Sequence, residues 1–233
     1  MTDLKSYLRP YGLTNPARMV IRRGAQLLLR AMEEHLCGRV LDIGCGEKAK
    51  RHLVSDRVSE YVGLDHEDTL HDLSNADLLG TAYRIPASDE SFDGVVCTAV
   101  LEHLEEPRAA LVESLRVLKG GGSAIYTVPL FWHLHEEPRD FFRYTKYGLR
   151  HLFESAGYQV IEIAPASGFW LTFGSEWSYY LNVLARGPSR YLGRLLVAAN
   201  NIVFPWLDGI DRRLNPFAEK FTWMYLVVAR KPA

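Results

Sequence analysis

The chain of 233 residues has no apolar run long enough to cross a bilayer. Its longest, Leu195 to Leu207, is broken by Asn200, Asn201 and Pro205, well short of the ~20 residues a spanning helix needs. The first residues include Asp3, Lys5 and Arg9 with no apolar core, which argues against a signal peptide. Cysteine is scarce: Cys37, Cys45 and Cys97 form no C-x-x-C pair, so a disulfide framework is not expected and a reducing compartment is. The net charge of -1 and the lack of a basic stripe with interleaved aromatics argue against nucleic acid. Neither an internal repeat nor a low-complexity segment is present. The expectation is a cytoplasmic protein without a transmembrane segment. A hydrophobic content of 48% supports one α/β domain with an elaboration, but not two full domains.

The most informative segment is Val40-Leu41-Asp42-Ile43-Gly44-Cys45-Gly46, followed by Tyr61-Val62-Gly63-Leu64-Asp65. An apolar run ends in a glycine pair, and about 20 residues later a second run ends in a carboxylate, as in a nucleotide-binding βαβ unit. Gly44 and Gly46 allow a sharp turn and close approach of a ligand. Asp65 at a strand tip suits the two hydroxyls of a ribose. The G-x-G-x-x-G pattern of pyrophosphate binding is missing, since Lys48, Ala49 and Lys50 follow Glu47. Asp42 before the glycines repels phosphate but suits an ammonium group. A nucleoside with a cationic tail is implied, and S-adenosylmethionine fits, with S-adenosylhomocysteine as product.

Further along, Ile85-Pro86, Ser91–Cys97, Val100-Leu101-Glu102-His103-Leu104 and Leu111–Leu118 with Lys119-Gly120-Gly121-Gly122 follow in order. With the glycine and ribose motifs, the set resembles the class I S-adenosylmethionine-dependent methyltransferases of the type 11 group, over roughly residues 38–164 and the final strand. The resemblance implies a Rossmann-like α/β fold: a doubly wound seven-stranded sheet, mostly parallel, with an antiparallel last strand. It also implies cofactor contacts from Asp42, Gly44, Cys45, Gly46, Asp65, His66, Thr81, Ala82 and Cys97. Two departures from the family pattern stand out. Lys48 replaces a glycine, and Thr81 takes the place of an acid near the adenine amino group.

Residues 1–37 read as a helical segment, with Asn15-Pro16 able to open a helix; in the family such a segment packs across the cofactor mouth. Strands are expected at 39–43, 61–65, 78–82, 92–97, 123–128, 158–163 and 221–229, with helices over 107–118 and after Thr145. The stretch from His66 to Gly80 is too short for the usual helix. The domain then comprises 38–164 and 221–233, interrupted by 165–220. That insertion is rich in aromatics and arginines, with an approximate helical stripe through Leu192, Leu195, Leu196, Ala199, Val203 and Trp206. Packing as core or lid is the first expectation, a homodimer surface or peripheral membrane contact the others.

Glu102 and His103 follow the fourth strand at the crevice where ligands bind in open α/β sheets. His103, His133 and His135 are candidate bases, and Glu102, Trp132, Arg139, Asp140 and Arg143 candidate acceptor contacts. The bland alternatives are a backbone-bonded His103 and an Arg143–Asp140 pair that merely pins the loop. His133-x-His135-Glu136 shows no third distant ligand, so no metal is expected. Cys45 reads as a small packed residue rather than a nucleophile. The function expected is methyl transfer to a small-molecule or sugar- or lipid-linked acceptor. The alternative is a nucleoside-binding protein of the same fold without catalysis.

Overall fold

The structure, a computed structural model, describes residues 3–69 and 72–233. Its strands are β1 (Gly38–Ile43), β2 (Val58–Asp65), β3 (Leu78–Leu79), β4 (Phe92–Thr98), β5 (Leu118–Pro129), β6 (Gln159–Pro165) and β7 (Met224–Arg230). They form one sheet in the order β3-β2-β1-β4-β5-β7-β6. Neighbours are parallel except β7, which runs antiparallel to both β5 and β6. This is the Rossmann-like arrangement expected from the motifs.

Strand alternation divides the core between two faces. Leu41, Ile43, Val95, Tyr126 and Val227 pack with Leu111 of α3 (Pro107–Val117) and with Leu149 and Phe153 of α4 (Lys146–Ser155). Val40, Val96, Ile125 and Leu226 face the other way, onto Ala25, Leu28 and Met32 of α2 (Arg18–His35). Thr145 caps α4 as expected, its Oγ1 accepting the Gly148 N–H at 3.1 Å.

Three expectations are corrected. The β1–β2 crossover is no α-helix but a single 3-10 turn, Ala49–Leu53. Lys48 adopts the left-handed conformation (φ 58°) and its Nζ ion-pairs with Asp77, which halts helix growth directly after the glycine turn. No helix N-terminus therefore backs that turn, in keeping with a ligand that carries no phosphate there. Residues 1–37 are not helical throughout: α1 (Leu4–Leu8) and α2 are separated by a loop in which Asn15 Oδ1 accepts the Ala17 N–H at 2.9 Å. Met1 and Thr2 lie outside the described residues. The third strand shrinks to Leu78–Leu79, because Thr81 bridges Arg84 in a tight turn. Between His66 and Gly80 the described residues form no helix, as anticipated, with Leu70 and His71 outside the description.

The insertion before β7 folds as two long helices, α5 (Phe169–Leu184) and α6 (Ser189–Leu214). Packing as core does not describe the α6 stripe. Leu192, Leu195, Leu196, Val203 and Trp206 are exposed, while Gly193, Val197, Asn201 and Asp208 turn inward. Both inward polar side chains are tied to distant backbone, although Asn201 Oδ1 itself has no partner. Asn201 Nδ2 donates to the carbonyls of Leu13 and Asn15, tying α6 to the N-terminal loop. Asp208, 3% exposed, accepts the N–H groups of Gly168 and Leu171 and so caps α5 from a neighbouring helix.

Removing that cap strands two buried N–H donors. Asp208→Ala is expected to cost about 2–4 kcal/mol and to lower the melting temperature by about 5–10 °C. Asp208→Asn, which keeps an acceptor oxygen, should recover most of the loss in the same thermal melt.

Candidate cofactor and acceptor site

The sheet order reverses between β1 and β4, and the carboxyl ends of β1, β2, β4 and β5 meet at this switch point. Here β1 delivers Asp42, fully buried, with no hydrogen-bond partner on either oxygen. The Tyr61 hydroxyl and Lys50 lie near enough to favour the carboxylate, but Tyr61 stops short of a proper hydrogen bond. Burial outweighs both and holds the Asp42 pKa above its ordinary value. An acid left in this state calls for a cationic N–H donor.

The turn beyond it is shaped for close approach. Gly44 has φ 68°, and a Cβ there would collide with Val100 Cγ2. Asp65, 5% exposed, accepts the Gly46 N–H at 2.8 Å through Oδ2 and the His66 N–H at 2.9 Å through Oδ1. Each carboxylate oxygen retains a lone pair, enough for two vicinal hydroxyls. An orphaned acid, a turn without room for Cβ and a strand-end carboxylate together fit an S-adenosyl nucleoside. His66 is half-buried beside Asp65, Thr81 is exposed and Ala82 half-buried after β3, and Cys97 is buried at the end of β4. Cys45 is buried, and burial with nearby Asp42 and Asp65 pushes its thiol up to about 11. That agrees with a packed residue, not a nucleophile.

The acceptor side is built by the segment after β4 and the loop after β5. Tyr144 Oη donates to the Leu101 carbonyl at 3.0 Å, and the Phe141 and Phe142 N–H groups donate to the Glu102 carbonyl. His103 and His135 meet edge to face, ring centroids 4.7 Å apart. His103 Nδ1 lies 2.6 Å from the Arg139 carbonyl, which only accepts, so Nδ1 carries a proton, while Nε2 lies 3.8 Å from Glu136 Oε2. His135 Nδ1 faces the His133 carbonyl at 3.2 Å and Asp140 Oδ2 at 3.4 Å, which fixes the same tautomer. Burial and His103 together lower the His135 pKa, keeping the ring neutral. His133 instead contacts Glu176 of α5, Nδ1 to Oε2 at 3.1 Å.

Arg143 and Asp140 adopt the pinning alternative. All five guanidinium N–H groups are used within the loop, on both Asp140 oxygens and the carbonyls of Trp132, His133 and Phe142. The guanidinium holds Asp140 far below the usual carboxylate range. Arg139 is exposed and reaches to 4.0 Å from Asp68, beside His66. Trp132 packs between Tyr179 and Trp223, each 5.2 Å away. Glu102 is 1% exposed with Oε2 unpartnered, and burial raises its pKa to about 8. One ligand atom from each of Glu102, His103 and His135 lies within 4.8 Å of the others, a tighter group than the His133–His135–Glu136 run suggested.

Four site residues were not singled out from the sequence. Tyr7 is close enough to Asp42, and Tyr11 to Tyr179, for their charges to be felt. Tyr7 is pushed up to about 12, mainly by burial. The N-terminal segment thus brings Tyr7 near Asp42 and Tyr11 near Tyr179 of α5, the helix that also supplies Glu176. The only sequence signal was the family's habit for that segment and the aromatic richness of the insertion. A groove of about 680 Å³ runs along β2 past Arg39, Lys48 and Arg51, where β3 is only two residues long. It shares no residue with the histidine cluster and is not the acceptor site.

Comparison with known proteins agrees with this geometry. Residues 41–126 match the family described as methyltransferase domain, of the type 11 group. A demethylmenaquinone methyltransferase of Renibacterium salmoninarum is 31% identical over 152 residues, covering 61% of this chain and 62% of that protein. A Mycolicibacterium smegmatis protein named as an S-adenosylmethionine-dependent methyltransferase is 28% identical over 151 residues, 59% of each. The chain thus spans about three fifths of the length of these relatives. The crystal structure of the [4+2]-cyclase SpnF superposes with a TM-score of 0.57 at 21% identity, covering 91% of this chain and 80% of that one, a likeness of fold alone.

The buried Glu102 generates a pH signature. Its pKa is about 8 folded against 4.5 ordinarily, so between those values the folded chain holds a proton the unfolded chain releases. Stability therefore falls as pH rises from 4.5 to about 8 and levels off beyond. Glu102→Gln is expected to melt like the natural chain near the low end of that window and above it at the high end. Thermal melts across the range read this directly.

Proposed function

We propose that this chain, whose residues 41–126 belong to the type 11 group of class I S-adenosylmethionine-dependent methyltransferases, transfers a methyl group to an oxygen of a small or lipid- or sugar-linked acceptor. The observation that carries the reading is the pair of buried strand-end acids, Asp42 and Asp65, around a turn in which Gly44 leaves no room for a Cβ. When bound, S-adenosylmethionine supplies an activated methyl group on a sulfonium, so no enzyme nucleophile is required.

The protein's part is alignment, proton removal and exclusion of water. Asp42 meets the ammonium group, and Asp65 takes the ribose hydroxyls. Proximity of this kind accounts for about 7–11 kcal/mol of such barriers. His103 and His135 have Nδ1 atoms anchored by carbonyls, so that Nε2 is the ring atom that would draw the proton from an acceptor hydroxyl. Glu102, protonated near neutral pH, offers an O–H to the same oxygen. His133 is held by Glu176 at the edge of this cluster and is the weaker base candidate. Arg143 and Asp140 set the loop that carries His133 and His135, while Trp132 and Tyr179 wall the pocket.

A second reading, nucleoside binding without methyl transfer, is favoured by Lys48 in the position of a family glycine and by the exposed Thr81. The SpnF likeness shows that the fold also hosts other chemistry.

Thermal unfolding separates the readings when joined to a turnover assay. S-adenosylmethionine and S-adenosylhomocysteine at about 100 times Kd should stabilise by ~2.7 kcal/mol, about 5–10 °C here, while NAD has no effect. Asp65→Ala should abolish the shift, and absence of any shift in the natural chain ends the cofactor assignment. Methyl transfer is best assayed first on catechols and simple phenols, with and without a polyprenyl chain, since O-methyltransferases are among the similar proteins. His103→Ala should keep the melt shift yet lower kcat by about 10²–10⁴, the span of a general base. A melt shift with no turnover on any hydroxylated acceptor favours the second reading.

A further inference from the structure

The α5–α6 hairpin is amphipathic in the wrong sense for a protein that ends at its own surface. Along α6 the fully buried positions are small or polar (Gly193, Asn201, Asp208) apart from Val197, and Phe204 packs half-buried onto Gly174 of α5. The outward positions are large and apolar: Leu192, Leu195, Ile202 and Trp206 are 60%, 69%, 61% and 66% exposed. They recur at helical spacing over a helix of 26 residues, so they form one stripe rather than scattered exposures. On α5 the stripe is continued by exposed Val183 and Leu184, with Trp177 and Tyr180 stacked beside them at 5.9 Å.

The charges around this face have one sign. Residues 177–207 contain Arg186, Arg190 and Arg194 and no acid, whereas the chain as a whole carries -1, so the remainder carries -4. All three arginines are exposed, and none forms an ion pair among the described residues. No described helix is long and apolar enough to cross a membrane. We propose that the α5–α6 hairpin lies flat on an anionic lipid bilayer, with the leucine–tryptophan stripe among the acyl chains and the three arginines on the headgroups. A second copy of the chain is the poorer occupant. A two-fold pairing of this face would set arginines against arginines with no acid within it to receive them.

The same helix relates this face to the site. Glu176 and Tyr179 of α5 contact the His133 loop, while Trp177 and Tyr180, one position on in each case, face outward. One helix diameter, about 10 Å, thus separates bilayer from acceptor pocket. An acceptor carried in the bilayer would enter beside it, a consequence that rests on the proposed function; binding to the bilayer itself does not.

Sedimentation of the full chain with vesicles, without acceptor or cofactor, tests the binding alone. Vesicles of phosphatidylcholine with about 30% phosphatidylglycerol should carry the protein down, phosphatidylcholine alone far less, and about 0.5 M salt should release it. Exchanging each arginine for glutamine should weaken binding about fivefold. The double variant Leu195→Glu/Trp206→Glu should abolish binding while keeping the melting temperature, since both residues are exposed. The proposal is overturned if anionic vesicles leave the protein in solution, or if the double variant binds as well as the natural chain. It is also overturned if sedimentation velocity shows a stable dimer that the double variant dissociates. Loss of methyl transfer with vesicle binding intact would overturn the functional reading and leave this one standing.

Discussion

Antiparallel β7 between β5 and β6 is the constraint on which the site depends. In the register of that pairing Pro129 sits opposite Met224 and Pro165 opposite Tyr225. The excursion from β6 to β7 therefore leaves and rejoins the sheet at the carboxyl end of β5, where the ligand crevice lies. Backbone bonds fix the joint: the N–H groups of Leu130 and Phe131 both donate to the Trp223 carbonyl, and Ala166 donates to Met224. A pair of helices anchored at these points has nowhere to go but over the crevice. That is how Glu176 and Tyr179, more than 40 residues from the histidine loop in sequence, come to touch it.

The loop after β5 needs a second constraint, because it has no ladder of its own. Arg143 provides it by spending all five donors inside the loop. A planar guanidinium can satisfy two carboxylate oxygens and three carbonyls only if all five lie near one plane, so the residue fixes the backbone at Trp132, His133, Asp140 and Phe142 together. Asp140 passes the order on, accepting the His135 N–H at 3.0 Å. The imidazole tautomers are thus consequences of the backbone geometry around them. Lysine at 143 would carry the charge but could not make this set of contacts.

The fold was legible because strands buried on both faces and their glycine or acid punctuation are local signals. Val40–Gly46 and Tyr61–Asp65 define two neighbouring strands without reference to anything distant. Elements whose form depends on a remote partner were not legible. The crossover after β1 reads as a helix until Lys48 is found in a left-handed conformation with Asp77 as its partner. The α6 stripe reads as core because periodicity reports that a helix has an apolar side, not which way that side points. Burial of Asn201 and Asp208 settles the direction, and both are buried by bonds to segments far away in sequence. The role of Arg143 was legible only as one of two alternatives, since counting its donors requires the loop to be folded.

Three acids, Asp42, Asp65 and Glu102, are buried around one crevice at the ends of β1, β2 and β4. Burying even one carboxylate is costly, and like charges in proximity add to the cost. The structure meets the difficulty differently at each. Asp65 is solvated by two backbone N–H groups, whereas Glu102 is held protonated by burial. Asp42 receives neither treatment in full: its oxygens have no partner, and Lys50 and Tyr61 only partly offset its burial. A buried acid in this state is stabilised by a positive charge brought beside it. The acid at the glycine turn is thus suited to a cationic group, and the acid on the next strand to a pair of hydroxyls. The protonated carboxyl of Glu102 adds no third negative charge to the crevice near neutral pH.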